Sequence, residues 1–279
     1  MIKNTKQKLS FYDLPHKGIT SYFDMIDLAA EYGVPGVEFM KYFELSTPDK
    51  EMAKKIREYA DKKGISIPCF SMYIELMSGD WAENIKLLKD YAEIAAILGS
   101  PYLHHTAITE QNPEKLLPKK TELMKTAAEY IREIYDYGES LGVKPIYEDQ
   151  GFVLNGVENF GEFLDIVDRE VGVVADFGNI YQSKDSALDF VRAFAERVVH
   201  VHFKDIVFTE KPETEKKLFS LTGKYITEVA PGKGIVDFDA CMKILKDVGY
   251  DGYYSIEWGT EKAYSPEFDE VIAFTNKIM

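Results

Sequence analysis

The sequence is poor in cysteine: Cys69 and Cys241 are the only two in 279 residues, and they fit no metal or redox spacing. That excludes a disulfide scaffold and a thiolate cluster; two free, buried thiols in a reducing compartment are expected instead. Long apolar runs are also missing. Nothing approaches the ~18 residues that cross a bilayer. The opening stretch MIKNTKQKLSFYDLP is polar and has no apolar core of signal-peptide length. A soluble, cytoplasmic protein with no membrane partner is the expectation. Positive charge is in deficit, with 33 Lys and Arg against 47 Asp and Glu and a formal net charge of -14. Such a surface repels phosphate backbones, which argues against a nucleic-acid partner. No glycine-rich fingerprint follows the first strand, which weakens a dinucleotide-binding reading. No low-complexity tract or linker interrupts the chain, so residues 1–279 are expected to form one domain.

What is present is a recurring unit, a short apolar run followed by a longer amphipathic one. GVEFM (36–40) precedes a helical stretch over 48–63, and ISIPCFSMY (65–73) precedes WAENIKLLKDYAEIAAILG. PYLHHT (101–106) precedes a long helix ending near Leu141 and Gly142, and KPIYED (144–149) precedes NFGEFLDIVDR. VGVVADF (171–177) leads to SALDFVRAFAERV, VVHVHFKD (198–205) to a long loop and DFDACMKILKDVG, and GYYSIEW (252–258) to a last helix. KLSFY and SYFDMIDLAAEYG supply the first of eight units. Strands alternating with helices imply parallel pairing with crossovers. Gly33, Gly64, Gly99, Gly142 and Gly249 stand where each helix should stop. Eight units fit a closed (β/α)8 TIM barrel, an α/β fold.

In such a barrel the active site is built at the C-terminal ends of the strands. The fifth run ends in Glu148, the sixth in Asp176, the seventh in His202 and the eighth in Glu257. A lone acid at a strand end is more often a solvated loop residue. Four ionisable groups, each directly after apolar residues, would be costly unless a cation sat among them. The oxygen-rich set with one nitrogen suits Mn²⁺ first, then Mg²⁺, with Co²⁺ and Zn²⁺ also admissible. The intervals from Glu148 to Asp176 and on to His202 are near the ~31 residues of an average unit. Along the seventh run His200, His202 and Lys204 share the face directed into the barrel, and Val199, Val201 and Phe203 the other.

PIYED, VVADFGN, HVHFKD, PGKGIVDF and SIEW together resemble the xylose-isomerase-like barrel superfamily, in its sugar phosphate isomerase/epimerase branch. The resemblance covers essentially the whole chain, and HxHxKD followed by GxGxxDF is its distinctive pair. It implies that Glu148, Asp176, His202 and Glu257 bind one divalent metal, and that Glu148 and Glu257 double as an acid/base pair. Two departures bear on the substrate. Asn179 stands where relatives often have histidine, and no arginine follows Arg197, so a bidentate clamp is missing. Five histidines in all, and the absence of the D-x-H ligand pair expected after the seventh strand, argue against the three-zinc endonuclease branch.

Secondary candidates have structural alternatives. His105 ends the fourth run and is expected to face the pocket and contact substrate, with His104 facing outward. Glu38 closes the second run and is a candidate for binding a sugar hydroxyl. Asn179 can hydrogen-bond a hydroxyl. Lys204 either steadies an oxyanion or pairs with a barrel carboxylate. Gly232, Lys233 and Gly234 either present amides to an anion or form a plain turn. Tyr42, Tyr73, Trp81 and Trp258 are candidate pocket walls or core, and His16 a surface residue. The segment 208–234, polar in its first half, is expected to be a mobile cover over the site.

The resulting expectation is a metal-dependent isomerase or epimerase acting on a ketose-like sugar by proton transfer through an enediolate. The alternatives are dehydration of an inosose-like polyol ketone, or a barrel that binds sugar without catalysis. The partner is a small sugar or polyol, free sugars being favoured over phosphates by the acidic surface; a homo-oligomer is compatible with the sequence.

Overall fold

Each of the eight short apolar runs contains a parallel strand. The computed structural model of the protein describes residues 8–12, 19–212, 218–258 and 265–279. The barrel strands are β1 (Lys8–Tyr12), β2 (Gly36–Met40), β3 (Phe70–Met72), β4 (Tyr102–His105), β5 (Lys144–Tyr147), β6 (Gly172–Asp176) and β7 (Val198–Phe203). Next come β8 (Asp205–Thr209), β9 (Leu218–Phe219) and β10 (Tyr225–Val229), which lie outside the barrel, and then β11 (Tyr253–Ile256), which closes it. The order around the barrel is β1-β11-β7-β6-β5-β4-β3-β2.

The helices are α1 (Tyr22–Tyr32), α2 (Lys50–Lys63), α3 (Trp81–Leu98), α4 (Pro113–Leu116), α5 (Lys120–Glu139), α6 (Gly151–Leu154), α7 (Val157–Val167), α8 (Ala187–Phe194), α9 (Phe238–Asp247) and α10 (Pro266–Ile278). Side chains of Ser21, Asp49 and Asp80 accept the first free amides of α1, α2 and α3. The same three helices end on Gly33, Gly64 and Gly99 in the left-handed region, which turns the chain into the next strand. One stretch read as a single long helix is broken into α4, a 3-10 turn over Leu117–Lys119 and α5. Pro118 lacks the amide a continuous helix would use there.

Alternation along the strands sorts the barrel into two environments. Val37, Phe39, Leu103, Val173, Val201 and Phe203 are fully buried members of the main apolar core, and Phe39 packs on Tyr22 of α1 with ring centroids 4.5 Å apart. The opposite faces carry Ser10, Glu38, Ser71, His104, His200 and His202, also buried. Beneath this polar layer Cys69, Ile146 and Val174 form a small separate apolar cluster. Both cysteines are free and buried. A polar barrel interior holds only if its groups are partnered, and that need shapes the site.

The segment 208–234 is not a plain loop. β8, β10 and β9 pair antiparallel in a three-stranded sheet, with Ile226 opposite Phe208 and Glu228 opposite Ile206. The period-two pattern of YITEV is too short to stand out in sequence, and pairing partners supply the rest. Residues 213–217, in the middle of that segment, lie outside the described residues, as does His16. No helix among the described residues is long and apolar enough to cross a membrane.

Candidate active site

At the C-terminal ends of β5, β6, β7 and β11, one ligand atom each from Glu148, Asp176, His202 and Glu257 lies within 4.8 Å of the others. His202 Nδ1 is 3.1 Å from Glu257 Oε2, 3.3 Å from Glu148 Oε2 and 3.7 Å from Asp176 Oδ2. Glu148 Oε2, Asp176 Oδ2 and His202 Nδ1 are buried and make no hydrogen bond. Buried polar atoms are rarely left so. Three that converge, two of them anionic oxygens, fit a divalent cation. Lys204 supplies the nearest positive charge, its Nζ 2.5 Å from Glu257 Oε1, 3.2 Å from Asp176 Oδ2 and 3.1 Å from Asn179 Oδ1.

The protonation balance follows from burial and charge. Burial pushes the Glu257 carboxyl up, and Lys204 only partly offsets it. Burial opposes ionisation of Asp176 as well, yet Lys204 and His202 hold its carboxyl below the ordinary range, helped by the Asn179 amide. Burial disfavours a charged His202, but Glu38 and the three strand-end acids outweigh it and hold the imidazole well above its usual value.

Below the four groups lies a second layer. Glu38 is fully buried inside the barrel, and this corrects the expectation that it meets a sugar hydroxyl. Ser71 Oγ donates to its Oε1 at 2.6 Å, His200 Nε2 contacts its Oε2 at 2.6 Å, and His202 Nε2 lies 3.2 Å from Oε1. Two histidines explain why the Glu38 carboxyl lies well below its ordinary range despite burial.

The two adjacent histidines are exchanged relative to expectation. His104 faces inward: its Nδ1 is 3.2 Å from Ser71 Oγ, its Nε2 is 3.7 Å from Glu148 Oε1, and it lines the cleft. His105 faces the helices, where its Nε2 accepts from Tyr147 Oη at 2.8 Å and its Nδ1 donates to Thr106 O at 2.9 Å. Tyr147 in turn packs on Phe163 of α7. With both nitrogens used, His105 has none left for substrate. The signal was available: His105 shares its face with the apolar Leu103, and alternation puts that face outward.

Two adjoining cavities of about 370 and 280 Å³ open above the four groups and share Tyr73, Gln150, Glu228 and Glu257. The first adds Gln111, Asn179, Gln182 and Lys204, and the second Tyr12, Tyr42 and His104. Amides and hydroxyls alternate with apolar side chains in the lining, and Gln150 donates to Tyr73 Oη at 3.0 Å. The β8-β10-β9 sheet contributes Ile206, Leu218, Ile226 and Glu228 as a wall. Tyr42 and Tyr73 are wall residues as expected, whereas Trp81 packs outside on Tyr130 of α5 and Trp258 sits in the core. A further cavity of about 320 Å³ opens at the opposite end, among the strand starts and away from this chemistry.

The glycine-containing turn binds an anion supplied by the chain itself. Gly232 N and Gly234 N donate to Asp205 Oδ2 at 2.9 and 2.8 Å, and Ile206 N and Val236 N to its Oδ1. A Cβ at Gly234 would stand 2.2 Å from Asp205 Oδ1. HFKD and PGKG are therefore one structural unit that pins the sheet to the barrel rim.

A closed (β/α)8 barrel with acids and a histidine converging at its C-terminal mouth defines the class of an enzyme built around a polar, cation-compatible centre. The chain belongs to the xylose isomerase-like TIM barrel family, whose model matches residues 26–278. It is 25% identical over 260 residues to an inosose dehydratase of Clostridium perfringens, covering 88% of this chain and 85% of that one. It is 26% identical to an inosose isomerase of Halalkalibacterium halodurans, covering 69% and 65%. Among solved structures, a probable 3-DHS dehydratase of Bacillus anthracis superposes with TM-score 0.74 at 19% identity, covering 96% and 97%. A xylose isomerase-like TIM barrel protein of Mycobacterium smegmatis in complex with magnesium superposes with TM-score 0.72 at 15% identity, covering 100% and 98%. The curated relatives are enzymes, and this chain is one too.

Proposed function

We propose that the protein is a divalent-metal-dependent dehydratase of a small, polyhydroxylated ketone. The observation that carries this is the convergence of Glu148 Oε2, Asp176 Oδ2 and His202 Nδ1, none of them hydrogen-bonded, beside a cleft that offers amides and hydroxyls. Glu148, Asp176, His202 and Glu257 would hold the metal. When bound, it would polarise a carbonyl and acidify the neighbouring C–H bond. Magnesium, present in one structural neighbour, is the first ion to test beside Mn²⁺.

The chain's own groups then divide the work. The Glu148 carboxylate accepts the proton from the carbon next to the carbonyl. Glu257, 2.5 Å from the Lys204 ammonium, delivers a proton to the hydroxyl one carbon further on, which departs as water. Asn179, whose Nδ2 is buried without a hydrogen bond, donates to a substrate oxygen. Gln150, Gln182 and Tyr73 orient the remaining hydroxyls.

Isomerisation is the second reading, because returning the proton to carbon uses the same groups and one relative is an inosose isomerase. Dehydration is preferred because the inosose dehydratase is matched over more of its length. Incubating metal-loaded protein with cyclic and open-chain polyhydroxy ketones in deuterated water tests both. An unsaturated or deoxy carbonyl product, abolished by chelation, is expected. Deuterium at carbon with no loss of water would favour the isomerase, and neither change with any ketone would refute the proposal.

A further inference from the structure

We infer that Glu38 is a positioning residue that orients His202 toward the metal from the interior of the barrel; this rests on the metal site proposed above. Glu38 lies on β2 and His202 on β7, strands that are not neighbours in the barrel. The carboxylate therefore reaches across the barrel interior to arrive 3.2 Å from His202 Nε2. An ionised carboxylate can only accept, so this contact requires Nε2 to carry hydrogen. In the neutral ring that leaves the lone pair on Nδ1, the atom that faces Glu148, Asp176 and Glu257. Residues that accept the far N–H of a ligating imidazole fix its tautomer and raise its basicity.

The rest of the layer holds Glu38 in place. Ser71 Oγ donates to Oε1, and His200 Nε2–H donates to Oε2 at 2.6 Å. Ser255 Oγ contacts His200 Nε2 at 3.1 Å and also pairs with Ser10 Oγ. Residues of β3 and β7 thus contact the carboxylate directly, Ser255 of β11 and Ser10 of β1 extend the network behind His200, and every member is buried. Both oxygens of Glu38 are engaged, which fixes the carboxylate against the His202 ring that must present Nδ1.

Chelator competition with Mg²⁺, Mn²⁺ and Co²⁺ on Glu38→Gln tests the inference. Gln keeps the shape and one acceptor but removes the charge. The expected result is a folded protein whose dissociation constants rise about 10–100-fold, with a shifted visible spectrum for the Co²⁺ form. Ser71→Ala should move the same constants in the same direction by less. If Glu38→Gln does not fold, Ser71→Ala decides by itself. Folded variants that are less heat-stable but bind within twofold of wild type would make Glu38 purely structural and overturn the positioning role alone. Failure of the wild-type protein to bind any of the three ions would overturn the metal reading and this inference with it.

Discussion

The Nζ of Lys204 lies 2.5 Å from Glu257 and 3.2 Å from Asp176, inside the group of side chains proposed to hold the metal. In the metal-free protein it is the cation that makes two buried acids tolerable. Removing one partner of a buried ion pair typically costs about 3–5 kcal/mol, because the other charge is left uncompensated. Lys204→Met is expected to destabilise the metal-free protein by that amount, and the metal-loaded protein by less. Denaturant unfolding with and without Mg²⁺ measures both, and equal losses would show that no cation substitutes for the ammonium.

Metal content should depend on each strand-end group. The purified wild-type protein is expected to carry one stoichiometric divalent ion, and Asp176→Ala and His202→Ala to lose it. Elemental analysis after gel filtration checks this, and an unchanged metal content in both variants would sink the assignment.

Glu148→Gln and Glu257→Gln separate proton transfer from metal binding. At saturating metal the loss in kcat should be about 10²–10⁴-fold, the usual contribution of a general acid or base. Full activity restored by excess metal would leave both residues as ligands only.

His105 supplies a pH-dependent test that does not involve the metal. Burial pushes its imidazole down to about 4 from 6.5, with the hydrogen bond to Thr106 only partly offsetting this. The unfolded ring binds a proton below about 6.5 and the folded ring only below about 4, so between those values the unfolded state holds more protons. Stability should therefore fall as pH drops from 6.5 to 4, by about 3 kcal/mol from this residue. His105→Gln is expected to be less stable at pH 7, to show a shallower slope across that window, and to keep kcat. His104→Gln should lower kcat instead. Denaturant unfolding at pH 7 and 4.5, with steady-state kinetics, distinguishes them.

Glu228 on β10 lines both halves of the cleft. A hydrogen bond from a substrate hydroxyl to a carboxylate contributes about 1.5 kcal/mol, roughly tenfold in affinity. Glu228→Gln is expected to raise KM by about that factor with kcat little changed. An unaltered KM would show that the added sheet walls the cleft without recognising the substrate.

The repeat of strand and helix was legible because each apolar run is short, bounded and followed by an amphipathic stretch closed by glycine. The four converging groups were legible for a related reason: Glu148, Asp176 and Glu257 each follow apolar residues, and His202 alternates with valine and phenylalanine. The alternation that placed His202 inward also places His104 inward, since Leu103 marks the outer face of β4. Choosing His105 came from taking the last residue of the run instead of its face.

What the sequence by itself determined are local quantities: which residues form strands, which face of each strand is apolar, and which polar groups stand at strand ends. Only the tertiary structure decided which inward groups meet. Glu38 and His202, 164 residues apart, come together through closure of the barrel and the register of strands between β2 and β7. The carboxylate that fills the Gly232–Gly234 turn is Asp205, 27 and 29 residues earlier, and the sheet that walls the cleft exists through pairing of β10 with β8 and β9. A strand's pleat is set residue by residue by backbone sterics. The meeting of distant side chains depends on how many strands close the barrel and how far each is shifted, and no single segment encodes that.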